Sequence, residues 1–71
     1  MAQTLRAEMV ASVLAVVAGV GDKVGVGDTL VILESMKMEI PVVCEEAGVV
    51  TEIAVAPGDV VREGDVIAIV L

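Results

Sequence analysis

Two similar segments lie 37 residues apart in this chain, and this repeat constrains the fold more than any other feature of the sequence. Residues 10–33 align with residues 47–70, and seven of the 24 aligned positions are identical. Chance similarity is the alternative in a chain rich in valine and glycine, but four of the seven identities belong to two Gly-Asp pairs in register. The pairs are Gly21-Asp22 with Gly58-Asp59, and Gly27-Asp28 with Gly64-Asp65. Glycine tolerates positive φ and aspartate bonds to nearby backbone, so each pair predicts a turn.

Each copy therefore reads as a strand, a turn, a short extended piece, a second turn and another strand. Valine, isoleucine and threonine supply 25 of the 71 residues, and these β-branched side chains suit a pleated surface. We predict longer strands over residues 5–10, 13–17, 29–35, 38–43, 49–55 and 66–71. The sequence thus predicts one all-β domain over residues 1–71, a flattened barrel-sandwich of two small antiparallel sheets with pseudo-two-fold symmetry.

The composition argues against several functions. The net charge of −7 and the lack of aromatic residues disfavour nucleic acid as a partner. Without histidine, we expect no metal site and no catalytic residues, so the chain is not expected to be an enzyme. The longest apolar stretch, residues 13–20, is too short to cross a membrane, and no signal peptide is visible, so we expect a cytoplasmic protein. We expect the single cysteine, Cys44, which follows Val42 and Val43, to be a buried small hydrophobic residue rather than a reactive thiol.

A lysine between two methionines, Met36-Lys37-Met38, lies at the joint between the two copies. Residues 34–40 contain no glycine, asparagine or proline, so the predicted hairpin must turn on Met36 and Lys37 without the usual turn residues. Such a turn places Lys37 at a protruding tip, and the pseudo-symmetry predicts that the chain termini lie at the opposite end of the domain. The position indicates a site of covalent modification.

The motif Glu34-Ser35-Met36-Lys37-Met38-Glu39, together with the paired Gly-Asp turns, resembles the biotinyl domain family, the biotin carboxyl carriers of biotin-dependent carboxylases. The resemblance implies that a biotin protein ligase acylates Lys37 with biotin, and that Glu34, Met36 and Met38 take part in recognition by the ligase. It also implies that the biotinyl arm carries a carboxyl group between biotin carboxylase and carboxyltransferase subunits. Alternatively, one or both methionines pack under the hairpin, and the acidic neighbours Glu34 and Glu39 only solvate the tip.

The sequence also departs from the pattern of that family. Segments 7–11 and 44–45 lack the prolines that many biotinyl domains carry there. The stretch 18–20 between strands is short, so the thumb insertion of some carriers is absent. With no carboxylase domain in the chain, we expect carboxylation to be done by separate subunits, and a monomer when the protein is isolated. Two alternatives stay open: a lipoyl domain carrying acyl groups and electrons, or a non-carrier interaction module with a free lysine.

Overall fold

The computed structural model describes residues 2–71, which form eight strands and no helix. The strands are β1 (Gln3–Arg6), β2 (Ala11–Val16), β3 (Lys23–Val24), β4 (Thr29–Ser35), β5 (Met38–Val43), β6 (Gly48–Ile53), β7 (Val60–Val61) and β8 (Val66–Val70). The predicted bounds of β4 and β5 are confirmed, and the short extended pieces between the turns are β3 and β7. No helix in the described residues is long and apolar enough to cross a membrane.

The strands form two four-stranded sheets whose neighbours all run antiparallel. One sheet has the order β5-β4-β2-β7 and carries the hairpin with Lys37, so we call it the tip sheet. The other has the order β1-β8-β6-β3 and contains the first and last strands, so we call it the terminal sheet. The predicted all-β fold of two small antiparallel sheets is confirmed.

The sequence repeat relates the two sheets strand by strand. Adding 37 to the numbers of β2 and β3 gives the bounds of β6 and β7. The same offset places β1 on β5 and β4 on β8, so the order β1-β8-β6-β3 maps onto β5-β4-β2-β7. Each position in one sheet therefore has an equivalent with similar backbone surroundings in the other, which confirms the predicted pseudo-two-fold symmetry.

The four aspartates of the repeat form the turns that the sequence predicts. Each carboxylate accepts a hydrogen bond from the backbone N–H three residues earlier, at 2.8 to 2.9 Å. The preceding glycine has positive φ in every case, between 86° and 94°. The aspartates are Asp22, Asp28, Asp59 and Asp65. These local bonds set the turn geometry that positions both ends of the longer strands.

The core lies between the two sheets and is filled by small aliphatic side chains. Within residues 2–71 every buried residue is Ala, Val, Leu, Ile or Cys, and no polar or charged residue is buried. The most deeply buried large side chains come from both sheets: Leu30, Val31, Val50, Ile67 and Val70. Thin sheets packed closely on branched aliphatics account for a core without aromatic rings.

The predicted strand over residues 5–10 is wrong for residues 7–10, because β1 ends at Arg6. The Ala7 N–H donates to the Asp65 carbonyl at 2.9 Å, and the Ala7 carbonyl accepts from the Gly64 N–H at 2.9 Å. These bonds hold Ala7 against the turn before β8, and the chain bends through residues 8–9 toward the tip sheet. Propensity alone does not reveal such a crossing between sheets.

Candidate functional site

Lys37 occupies the tip of the hairpin that joins β4 to β5. Ser35 pairs with Met38, so the loop contains two residues, Met36 and Lys37. Their φ angles are 52° and 63°, both in the left-handed region. A two-residue hairpin with positive φ at both positions is a type I′ turn, which fits the twist of the flanking strands. The predicted turn on Met36 and Lys37 is confirmed, and the structure adds that both residues have left-handed backbone although neither is glycine.

This backbone is energetically unfavourable for the residues that adopt it. A residue with a side chain in the left-handed region costs about 1 to 2 kcal/mol relative to right-handed backbone. Asparagine and glycine are the residues usually found in such turns, and neither is present here. Backbone strain of this kind is often found at functional sites.

The side chains of the tip project into solvent. Lys37 is exposed, Met36 is 88% exposed and Met38 is 61% exposed. The alternative in which the methionines pack under the hairpin is therefore wrong. Two large apolar side chains instead flank Lys37 and are free to contact a partner protein. Methionine side chains adapt to differently shaped surfaces, so they suit such contacts.

Two carboxylates lie one residue pair below the tip. Glu34 pairs directly with Glu39 across β4 and β5, and both side chains are exposed. Residues directly opposite in an antiparallel pair share one face of the sheet, so the two carboxylates lie side by side. Glu34 and Glu39 are five positions apart in the sequence, and their pairing follows from the turn on residues 36–37.

A rigid base supports the hairpin. Leu33, 3% exposed, pairs with Ile40 just below the glutamates, and β4 also pairs with β2 on its other side. From Met38 to Val43 the strand β5 spans about 17 Å at the usual rise per residue. The tip is thus held by strands packed on the core rather than by a flexible loop.

The two ends of the described chain, near Gln3 and Val70, lie at the other end of this hairpin. The Gln3 side chain accepts a hydrogen bond from the Glu45 N–H at 2.8 Å and donates to the Glu46 carbonyl at 3.2 Å, just past the end of β5. Gln3 in turn pairs with Val70 near the C-terminus. For the residues that the structure describes, the predicted placement of Lys37 opposite the termini is confirmed.

Cys44 is a structural residue at this terminal end. It lies directly after β5, and it is 1% exposed. Its thiol donates to the Glu46 carbonyl at 2.6 Å, and Gln3 donates to its sulfur at 3.6 Å. Its burial is confirmed. No group of three metal-ligating side chains occurs within residues 2–71.

Comparison with known proteins gives relatives over the whole chain. The model of the family described as "Biotin-requiring enzyme", the biotin/lipoyl family, matches residues 3–70. A Mycobacterium leprae protein named as a homologue of biotinylated protein TB7.3 is 57% identical over 70 residues, covering 99% of each chain. The biotin carboxyl carrier protein of Streptococcus mutans is 44% identical over 64 residues, covering 90% of this chain and 49% of its own.

A solved structure of a much larger enzyme contains the same fold. The urea carboxylase of Kluyveromyces lactis superposes with a TM-score of 0.94 at 37% sequence identity. The match covers 100% of this chain and 6% of that enzyme. Similarity at this level extends to the arrangement of all eight strands.

Proposed function

The chain belongs to the biotin/lipoyl family of biotin-requiring proteins, and on that premise we propose that Lys37 is the residue that a biotin protein ligase acylates. The protein is a biotin carrier with covalently attached biotin. The observation that supports the position of the biotin is the tip itself. An exposed lysine on a two-residue turn, flanked by exposed methionines, is held away from the body of the domain.

The attachment step needs a neutral, accessible amine. The Lys37 nitrogen attacks the acyl carbon of biotinyl-adenylate, the bond from that carbon to the phosphate oxygen breaks, and AMP leaves. The amine loses one proton to solvent or to a base of the ligase, and an amide remains. Because the amide is uncharged, as in lysine acetylation, the formal net charge changes from −7 to −8.

Biotin, once attached, supplies a ring nitrogen that accepts a carboxyl group. This chain supplies the rigid support to which the biotin is attached. The rigid strands β4 and β5 fix the origin of the arm while the lysine side chain lets it swing. Tethering gives the cofactor an effective concentration on the order of millimolar at nearby sites, which free biotin would not reach. We propose that separate biotin carboxylase and carboxyltransferase subunits use the arm in turn. The domain itself serves as the non-catalytic carrier.

The setting of this chemistry is also part of the proposal. The protein acts as a monomer when isolated, and works in the cytoplasm, where a lone thiol such as Cys44 stays reduced. Its acidic surface steers it toward electropositive regions of the proteins it visits.

The name of the family covers lipoyl as well as biotin attachment, so the test compares both modifications. The purified protein is incubated with ATP and either biotin plus a biotin protein ligase or lipoate plus a lipoyl ligase, and its intact mass is measured. We expect complete addition of one biotinyl group and no lipoyl group. Addition of lipoyl alone would support the lipoyl carrier, and no addition by either ligase would overturn the carrier proposal.

A further inference from the structure

The two halves of the domain provide an internal comparison of their outer faces. Because the sheets are related by the offset of 37, a position on the outer face of the tip sheet has an equivalent on the outer face of the terminal sheet. Similar backbone makes similar demands on side chains. A consistent chemical difference between the two faces therefore reflects something other than folding.

The outer face of the tip sheet carries an apolar strip. Ala15, Ile32 and Pro41 lie side by side across β2, β4 and β5. Leu14, 44% exposed, lies beside this row at the bulge in β2, and Val43, 38% exposed, lies further down β5. We call these five residues the outer strip. Each of them is at least partly exposed.

The equivalent positions of the terminal sheet are mostly polar. Glu52, Ile69 and Thr4 form the corresponding row across β6, β8 and β1. Leu14 corresponds to Thr51, and Val43 corresponds to Arg6. Ile32 and Ile69 are identical, and at the other four positions an apolar residue of the tip sheet replaces a polar or charged one.

In the row nearest the tip, the polar residues lie on the tip sheet and the apolar residues on the terminal sheet. Ser12 and Glu34 lie side by side there, where the terminal sheet has Val49 and Leu71 next to the chain terminus. From the tip downward, the face thus presents the lysine, then the Glu34–Glu39 pair, then the outer strip. Acidic groups close to Lys37 and apolar groups below them form one continuous surface.

We propose that the outer strip is a docking surface for the biotin protein ligase, an inference that rests on the proposed function of Lys37. The fitting partner surface combines basic groups beside its adenylate site with an apolar patch next to them. The lysine side chain reaches only about 6 Å from its Cα, judged from ordinary bond lengths. The ligase must therefore approach the hairpin closely, and the outer strip is the apolar surface continuous with that hairpin. Later partners meet biotin on an arm roughly twice as long, so they need not approach the hairpin as closely.

The test exchanges side chains between the two faces. The double variant Leu14→Thr with Pro41→Thr gives the tip sheet the residues found at the equivalent terminal positions. The matched control, Thr51→Leu with Thr4→Val, makes the terminal sheet more apolar. Val43→Arg serves as a second, independent variant. Initial rates of biotinylation are measured by intact mass against carrier concentration, with circular dichroism melts to verify folding.

We expect the double variant and Val43→Arg each to raise KM about tenfold with unchanged kcat, as truncation of an interface anchor does, and the control to match the wild type. Equal KM values for wild type and folded tip-sheet variants would overturn the docking surface while leaving Lys37 as the biotin site. A wild type that is not biotinylated would instead overturn the proposed function. A wild-type dimer that the double variant converts to monomer in sedimentation would also contradict the proposal, because a second copy would then cover the strip.

Discussion

Glu34 and Glu39 lie directly opposite each other across the two strands that hold Lys37, with both side chains exposed. Like charges directly opposite in an antiparallel pair destabilise it by about 0.2 to 1 kcal/mol. We expect Glu39→Gln to raise thermal stability at low salt, with the gain shrinking in high salt because the repulsion is screened. Thermal melts at two ionic strengths measure this.

The control for that prediction is Glu52→Gln, since Glu52 is an exposed strand glutamate whose cross-strand neighbour is Ile69. It removes the same charge without relieving a paired repulsion. If both variants gained equally, the effect would come from net charge alone. On the proposed function, Glu39→Gln should also slow biotinylation, because it weakens the acidic surface beside the lysine.

The left-handed backbone of Met36 predicts that a residue better suited to positive φ at this position will stabilise the domain. Met36→Asn places a residue suited to positive φ at the first turn position. We expect a gain of about 0.5 to 1 kcal/mol in the free energy of unfolding. Met38→Asn, in the adjoining strand, should give no gain. Chemical denaturation of the two variants decides the point, and a loss of stability in Met36→Asn would contradict the turn geometry.

Gly48 should tolerate no side chain. A Cβ there would overlap the carbonyl oxygen of Leu71 and lie 2.8 Å from a Val70 methyl group. Because the obstructing atoms include backbone, we expect Gly48→Ala to lose about 1 to 3 kcal/mol of stability. Gly25→Ala is the matched control, since its Cβ would meet only an Asp28 carboxylate oxygen at 3.8 Å. Equal melting temperatures for the two variants would show that the C-terminal strand yields easily.

The turn aspartates should contribute through their hydrogen bonds rather than their charge. Asp65→Ala removes the bond from the Arg62 N–H, at 2.9 Å, and we expect a loss of about 0.5 to 1.5 kcal/mol. Glu63→Ala removes the same charge from the same turn, and Glu63 makes none of the side-chain hydrogen bonds found within residues 2–71. A similar loss in both variants, by denaturant titration, would argue against the local bond.

Much of this fold could be predicted because the repeat contains recognisable turn residues. The Gly-Asp pairs mark turns. Because residues 34–40 contain no glycine, asparagine or proline, the chain can reverse there only on Met36 and Lys37. The position of Lys37 opposite the termini then follows from symmetry.

The remaining features depend on register and on contacts distant in sequence. The early end of β1 results from bonds between Ala7 and the turn at residues 64–65. The outer strip appears only when the bulge in β2 and the pairing of Ile32 with Pro41 are known. The close approach of Gly48 to Leu71 likewise joins distant residues, so no local pattern predicts it.

The position of the biotin is tested most directly by replacing each of the two lysines of the chain, Lys23 and Lys37, with arginine in a separate variant. Lys37→Arg and Lys23→Arg keep the charge, and Lys23 is an exposed residue of β3, so it provides a matched control. After incubation with biotin, ATP and a biotin protein ligase, intact mass is measured. We predict that wild type and Lys23→Arg gain one biotinyl group and that Lys37→Arg gains none. Biotinylation of Lys37→Arg, or its loss in Lys23→Arg with Lys37 intact, would contradict the central claim.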